Sequence, residues 1–454
     1  MTTQPAGITA LDQIDQRTKL TGHQKSVIWL AIIANVSEFF DMFLIGFAVS
    51  LLTKPWQLTG FETGTILACS GLGTVIGAIV WGRLADRYGR KHAFTWCILM
   101  FVVFTAACVV TPDRGWILLA VLRILVGAGV GGLNITSIPY VQEFVPAKHR
   151  GFLSGLASVF IPAGLFLGAL AQRFLGDLIG WRGLIALGVI PIFLLFWLKL
   201  VPESPRFLQT QGRTKEAREA LAWALEIDEK DLAPLPPLSA ETKPQAYSVI
   251  FKRYPRALAV VTLGSFCFIL GSFTVQSWGQ TLLKDAYGFD AAFVGTLFMI
   301  VSLGDLLGRL GSAWLADKIG RRYTMLSFGI LGGIGAIIAA LATSGDSGWL
   351  FFVGILIVMT FGDGAFGILN AFGSEQFPNE ARSSGLGLGY GIGAAAKVVG
   401  PALMGAMIGG GYVAQNVSLD AVRPAFLLFA VLLFVGGIIY LFARETKGES
   451  LEQI

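Results

Sequence analysis

Apolar runs about as long as a bilayer crossing alternate with short polar breaks along this 454-residue chain. They fall near 26–52, 62–82, 93–111, 115–140, 152–175, 183–200, 257–283, 290–315, 323–343, 348–373, 384–411 and 423–443. About 20 helical residues cross a hydrocarbon core about 30 Å thick, and only helices or closed barrels satisfy the backbone in lipid. Unbroken runs of this length predict an all-α polytopic membrane protein with twelve transmembrane helices. The one extended polar stretch, 201–256, splits the series six and six. The expected plan is an N-terminal segment 1–25, a six-helix bundle 26–200 and a linker 201–256 with short helices, one at Thr214–Leu225. A second bundle 257–443 and a tail 444–454 follow.

Composition agrees with a chain built for lipid. Hydrophobic residues make up 54% and charged residues 14%, against about 25% charged in soluble domains; mean hydropathy is +0.68. Residues 1–25 are polar and lack the apolar core and small-residue cleavage site of a signal peptide, so the first span is expected to remain in place. The four cysteines, Cys69, Cys97, Cys108 and Cys267, fall in predicted spans without a CxxC pair and read as packing residues. Basic residues collect in alternate loops: Arg83, Arg87, Arg90 and Lys91; Lys148 and Arg150; the linker; and Lys318, Arg321 and Arg322. By the positive-inside rule these loops and both termini face the cytoplasm. The net charge of +5 records that asymmetry, and no nucleic-acid partner is expected.

The two halves echo each other. GTVIGAIVWGRLADRYGRK (73–91) aligns without gaps on GDLLGRLGSAWLADKIGRR (304–322), EFVPAKHR (143–150) on EQFPNEAR (375–382), and Glu203-Ser204 on Glu445-Thr446. Parallel six-helix repeats place a substrate near the midplane between the halves, which suits alternating access. The glycine strings GAGVGG (127–132) and GLGLGYGIG (385–393) lie inside apolar helices. They therefore read as close helix packing rather than as a dinucleotide loop, which needs a preceding strand.

Seven ionisable residues sit within spans away from their ends: Glu38, Asp41, Arg123, Asp305, Arg309, Asp363 and Lys397. A charge at the helix centre costs about 2.5–3.5 kcal/mol on insertion scales, so each is a functional candidate. Glu38 and Asp41 share a helix face, as do Asp305 and Arg309. A carboxylate that meets an Arg in one state and leaves it in another is a proton switch; Asp41 with Arg123 is the best pair, the alternative being a permanent lock between spans 1 and 4. Glu38 could share the proton, line the substrate path or cap a kinked helix. Asp305 and Arg309 either bind substrate or neutralise each other. Lys397 has no obvious partner in its own helix; it could attract an organic anion, pair with Asp363 or Asp305, or snorkel. Phe43, Phe273, Trp278, Phe366 and Tyr390 could stack on a ring or simply pack, and Gln276 and Asn370 are candidate hydrogen-bonding groups.

At these motifs the chain resembles the major facilitator superfamily along nearly its whole length. GRLADRYGRK and the weaker ADKIGRR match that family's signature, and PESPR (202–206) and RETKGESLEQI (444–454) look like its sugar-porter and organic-ion branches. RILVGAGVGG (123–132) is similar to the span-4 motif of Arg plus glycines. EFFD (38–41) resembles the D-G-F/Y-D motif of aromatic-acid:proton symporters, and SWGQTLLKDAYGF (277–289) the same group's span 7. The glutamine cluster and the Pro-Trp signature of sugar porters are absent. The resemblance implies the major facilitator fold of two pseudo-symmetric bundles, and places the matching span-1 acid and span-4 Arg as coupling residues. It further implies cytoplasmic charge networks that latch the outward-facing state, built from Asp86, Arg87, Gly89, Arg90, Glu143 and Arg150 and from Asp317, Arg321, Glu375 and Arg382. The alternative is topogenic charge alone.

The expected function is a proton-driven symporter importing a small organic acid, a carboxylate and plausibly aromatic, in a bacterial cytoplasmic membrane. It would work as a monomer with the proton as coupling ion and no other cofactor. A sugar or organic-cation carrier and a proton-coupled exporter of drugs or metabolites are the alternatives within transport. No nucleophile–base or metal-ligand constellation supports an enzyme, and His23, His92 and His149 are scattered at span ends.

Overall fold

The computed structural model describes residues 9–15, 17, 19–146, 160–235, 247–378, 381–416 and 419–447. Helices dominate; among the described residues the only β pairing is an isolated antiparallel bridge between Thr59 and Tyr412. Eleven segments are long and apolar enough to cross a membrane, and one of them, Ile161–Lys199, spans 39 residues. That segment breaks at Gly180, where φ is 61°, a value glycine adopts without steric cost. The break separates spans 5 and 6, so the expected twelve crossings are present. The start of span 5, with Gly151 and Gly155, lies outside the described residues.

Local chemistry sets the helix ends. Span 1 (Gly22–Trp56) opens on a capping box between Thr21 and Gln24, and span 2 (Gly60–Tyr88) on another between Thr59 and Glu62. Span 8 (Ala291–Ile319) starts where the Asp290 carboxylate accepts from the backbone N–H groups of Ala292 and Phe293. The linker carries helices Pro205–Thr210, Thr214–Leu225 and Tyr247–Arg253.

Spans 2 and 4 show what the glycine strings do. Gly127 and Gly131 of span 4 (Trp116–Gln142) lie against the carbonyls of Ser70 and Thr74, while Gly73 and Gly77 lie against those of Ile124 and Ala128. A Cβ at any of these positions would strike backbone, so the two helices cross at the distance only hydrogen side chains allow.

The halves meet through span 5 against span 8, span 2 against span 11, and span 1 against span 7. Every hydrogen bond between them described here lies at or toward the face opposite the termini. Leu58 C=O accepts from Val413 N–H at 2.9 Å, and Gln172 Nε2 donates to Ala291 C=O at 3.3 Å. At the end of span 7 (Pro255–Thr281) the helix widens into a π turn, Leu282–Ala286. It turns the neighbours Lys284 and Asp285 toward span 1: Lys284 Nζ donates to Ser50 C=O at 2.8 Å, and Asp285 Oδ2 accepts from Thr53 Oγ1 at 2.7 Å.

Candidate functional site

The seven ionisable side chains singled out by the sequence lie within the spans of both halves. Six are buried, between 1% and 4% exposed; Lys397 is partly buried. Their arrangement divides into three groups.

The first is Asp41 with Arg123. Both terminal guanidinium nitrogens donate to the carboxylate, Nη1 to Oδ1 at 3.2 Å and Nη2 to Oδ2 at 2.9 Å. Arg123 Nε donates to Ser70 Oγ at 3.0 Å, which aims the fork from span 4 across to span 1. Such a bidentate pair is strong and directional, and removing either member would strand a buried charge.

The second is a triad in the other half. Arg309 Nε donates to Asp305 Oδ1 at 2.9 Å, four residues earlier on the same helix, and its Nη2 donates to Asp363 Oδ2. Asp363 closes a π turn, Val358–Asp363, in the middle of span 10; such turns recur at functional sites. Gln276 of span 7 donates to Asp363 Oδ1 at 2.9 Å. Close approach is again secured by glycine, with Gly308 and Gly364 stacked across the spans 8–10 crossing.

The third is Lys397 in span 11 (Arg382–Gly393 and Ala396–Ile408). No ion pair or hydrogen bond engages its ammonium among the described residues. Nζ lies 5.7 Å from the Phe273 ring centroid, and Glu38 and Asp363 are the carboxylates whose fields reach it. Tyr390 of span 11 and Asn370 of span 10 are partly buried. Phe43 and Trp278 are fully buried, and the Trp278 indole N–H already donates to Pro401 C=O at 3.1 Å. Arg309 lies 5.7 Å from the Phe366 ring.

The terminus-bearing face holds two matching networks. In the first half, Glu203 accepts from the backbone N–H groups of Lys91 and Ser204, each at 2.8 Å, and its other oxygen lies 3.0 Å from His92 Nδ1. Ser204 Oγ bonds Glu143, which faces Arg90 at 3.8 Å. In the second half, Glu445 accepts from Arg321, Arg322, Thr446 and Lys447 N–H groups at 3.0 to 3.1 Å. Thr446 Oγ1 bonds Glu375, which pairs with Arg321 at 2.6 Å. Burial pushes the Glu445 carboxyl up, but the four backbone donors outweigh it and hold it below its ordinary value. Gly89 and Gly320, with φ of 105° and 94°, bring each helix start down onto its glutamate.

Of the residues expected in these networks, Arg90, Glu143, Arg321, Glu375 and Gly89 occupy them. Arg87 lies over the Tyr88 ring and Asp317 is exposed. Arg150 lies outside the described residues, as do the side chains of Asp86 and Arg382. Glu203, Ser204, Glu445 and Thr446 are the members that sequence reasoning passed over; their signal was the repeated Glu-Ser/Glu-Thr after the last span of each half. Both networks, in the pairs described, stay within one half.

Comparison with known proteins gives this architecture its place. A sequence model described as Major Facilitator Superfamily matches residues 31–401 and 261–453. The niacin transporter NiaP of Acinetobacter baylyi is 31% identical over 94% of this chain and 96% of its own length. The gallate transporter of Pseudomonas putida is 27% identical over 89% of each chain. Among solved structures, a D-xylose-proton symporter superposes with a TM-score of 0.72 at 19% identity, covering 94% of this chain and all of that one. The inward-open xylose transporter of E. coli gives 0.69 at 20% identity, over 95% and 98%. With the family model spanning most of the sequence, and two six-span halves closing around a charged centre, this chain belongs to the Major Facilitator Superfamily and is a membrane-embedded transporter, not an enzyme.

Proposed function

We propose that the protein is a proton-coupled symporter that imports a small aromatic carboxylate across the bacterial cytoplasmic membrane. The observation that carries this reading is Lys397: a cation at the centre of the molecule, beside the Phe273 ring, with no ion-pair partner among the described residues. A carboxylate ligand would supply the missing counter-charge while its ring stacks on Phe273, with Tyr390 and Asn370 as candidate stacking and hydrogen-bonding groups. Relatives named for niacin, gallate and benzoate transport lend support, since each of those compounds pairs a ring with a carboxylate.

Asp41 and Arg123 are the coupling pair. With Asp41 ionised the pair is closed; protonation would free Arg123 and loosen span 1 from span 4. A proton entering with a monocarboxylate moves no net charge, so accumulation draws on the pH difference, worth about 1.4 kcal/mol per unit. Arg309, already engaged by two carboxylates, is left to shape the site rather than to receive the anion.

The basic, terminus-bearing face is the cytoplasmic one. Among the described residues, ties between the halves cluster at the other face, which supports reading this conformation as open toward the cytoplasm. The Glu203 and Glu445 networks then brace each half separately here, and their role as a latch belongs to the outward-facing state.

The test is uptake of radiolabelled niacin and benzoate into proteoliposomes under an imposed inward proton gradient. Accumulation that collapses when the gradient is dissipated supports the reading. Equal uptake with and without the gradient overturns it.

A further inference from the structure

The buried charges do not balance. Asp41 and Arg123 neutralise each other. What remains is Glu38, Asp305 and Asp363 against Arg309 and Lys397: three acids facing two bases, at the centre of a membrane where an uncompensated charge costs several kcal/mol.

The triad is where the excess concentrates. Asp305 and Asp363 share a single guanidinium, and their carboxyl groups lie close enough to act on each other directly. Asp305 is 1% exposed, and its Oδ2 has no hydrogen-bond partner among the described residues. A buried carboxylate oxygen without a donor is costly, and two carboxylates crowded at one site cannot both ionise readily. A proton placed between them resolves both problems: it supplies the missing donor and cancels the surplus charge.

We propose that the Asp305–Arg309–Asp363 triad is a second proton-binding site, in which one proton is shared by the two carboxyl groups. The groups facing it are Arg309 on span 8 itself, Asp363 and Gln276 from spans 10 and 7, and Lys397 and Tyr390 from span 11, with Glu38 beyond Lys397 on span 1. The site is distinct from Asp41, lies in the opposite half, and deepens the proton-coupled reading without depending on the identity of the substrate.

Infrared spectroscopy of the purified transporter in lipid, without ligand, tests it at neutral pH. The expected result is a carboxylic-acid carbonyl band that shifts in heavy water, survives in the D41N/E38Q double variant, and is lost in D305N and in D363N alike. Loss on either single replacement is the mark of sharing, because the acid left behind would be ionised against Arg309. Absence of the band in the wild type overturns the proposal, and so does its loss in D41N/E38Q, which would put the proton on Glu38 or Asp41. A band that persists in either single variant overturns the sharing. Where an Asn variant fails to fold, D305E and D363E take its place, and a band moved by neither overturns the assignment to the triad. Failure of niacin uptake under a proton gradient would strike the transport reading and leave this result standing.

Discussion

Arg123 grips Asp41 with both ends of its guanidinium, and Ser70 holds the third nitrogen of the fork. Spans 1, 2 and 4 are thereby joined at one buried point, so that a single protonation event reaches three helices.

Replacing Asp41 with Asn therefore should abolish gradient-driven accumulation while sparing substrate exchange across the membrane. Counterflow and gradient-driven uptake, measured on the same proteoliposomes, separate the two. Arg123→Ala leaves the Asp41 carboxylate buried and alone, a loss of about 3–5 kcal/mol. The Asp41→Asn, Arg123→Ala double variant should recover much of that loss in thermal unfolding, since no unpaired charge remains.

Lys397→Ala should weaken binding of benzoate and niacin by tenfold or more, equivalent to at least about 1.4 kcal/mol. The neutral amide of niacin is the control: its binding should change little. Unchanged carboxylate affinity by calorimetry would remove Lys397 from the site.

The two halves are clasped through Lys284 and Asp285 to Ser50 and Thr53. Lys284→Ala with Asp285→Asn should release that clasp and shift the population toward opening at this face. Spin labels at Phe61→Cys and Tyr412→Cys, both exposed positions flanking the closure, should then show a longer distance distribution than in the parent protein.

Glu445 sets a pH dependence with a definite sign. Its folded-state pKa lies below the ordinary value of 4.5, so its stabilising contribution is fully present above that value and fades as the pH falls through the depressed one. Glu445→Gln should lower the melting temperature at neutral pH. The gap between variant and parent should then close on acidification through and below 4.5.

Much of this was legible in the sequence because membrane burial makes charge conspicuous. Seven ionisable residues stood out against apolar runs, and the family resemblance of spans 1 and 4 pointed to pairing Asp41 with Arg123. Asp305 with Arg309 followed from helical spacing. The arrival of Asp363 at the same Arg did not, because it depends on a π turn that no periodicity announces and on contact across 54 residues. The break at Gly180 falls in the interval 176–182 between the fifth and sixth apolar runs, where Asp177 and Arg182 interrupt the apolar pattern. Glu203 and Glu445 were visible as a repeat, yet their work, holding a helix start through backbone N–H groups, involves no side-chain partner for a sequence pattern to reveal.

The π turn at Val358–Asp363 takes one more residue than an α-helix would need for the same rise. Deleting a single residue there would restore the regular winding and remove the widened turn that brings Asp363 to Arg309, while the helix on either side keeps its faces. The converse also holds: one residue added to a regularly wound span 10 can be housed as such a turn, which re-aims the side chains within it and leaves the rest of the helix facing as before.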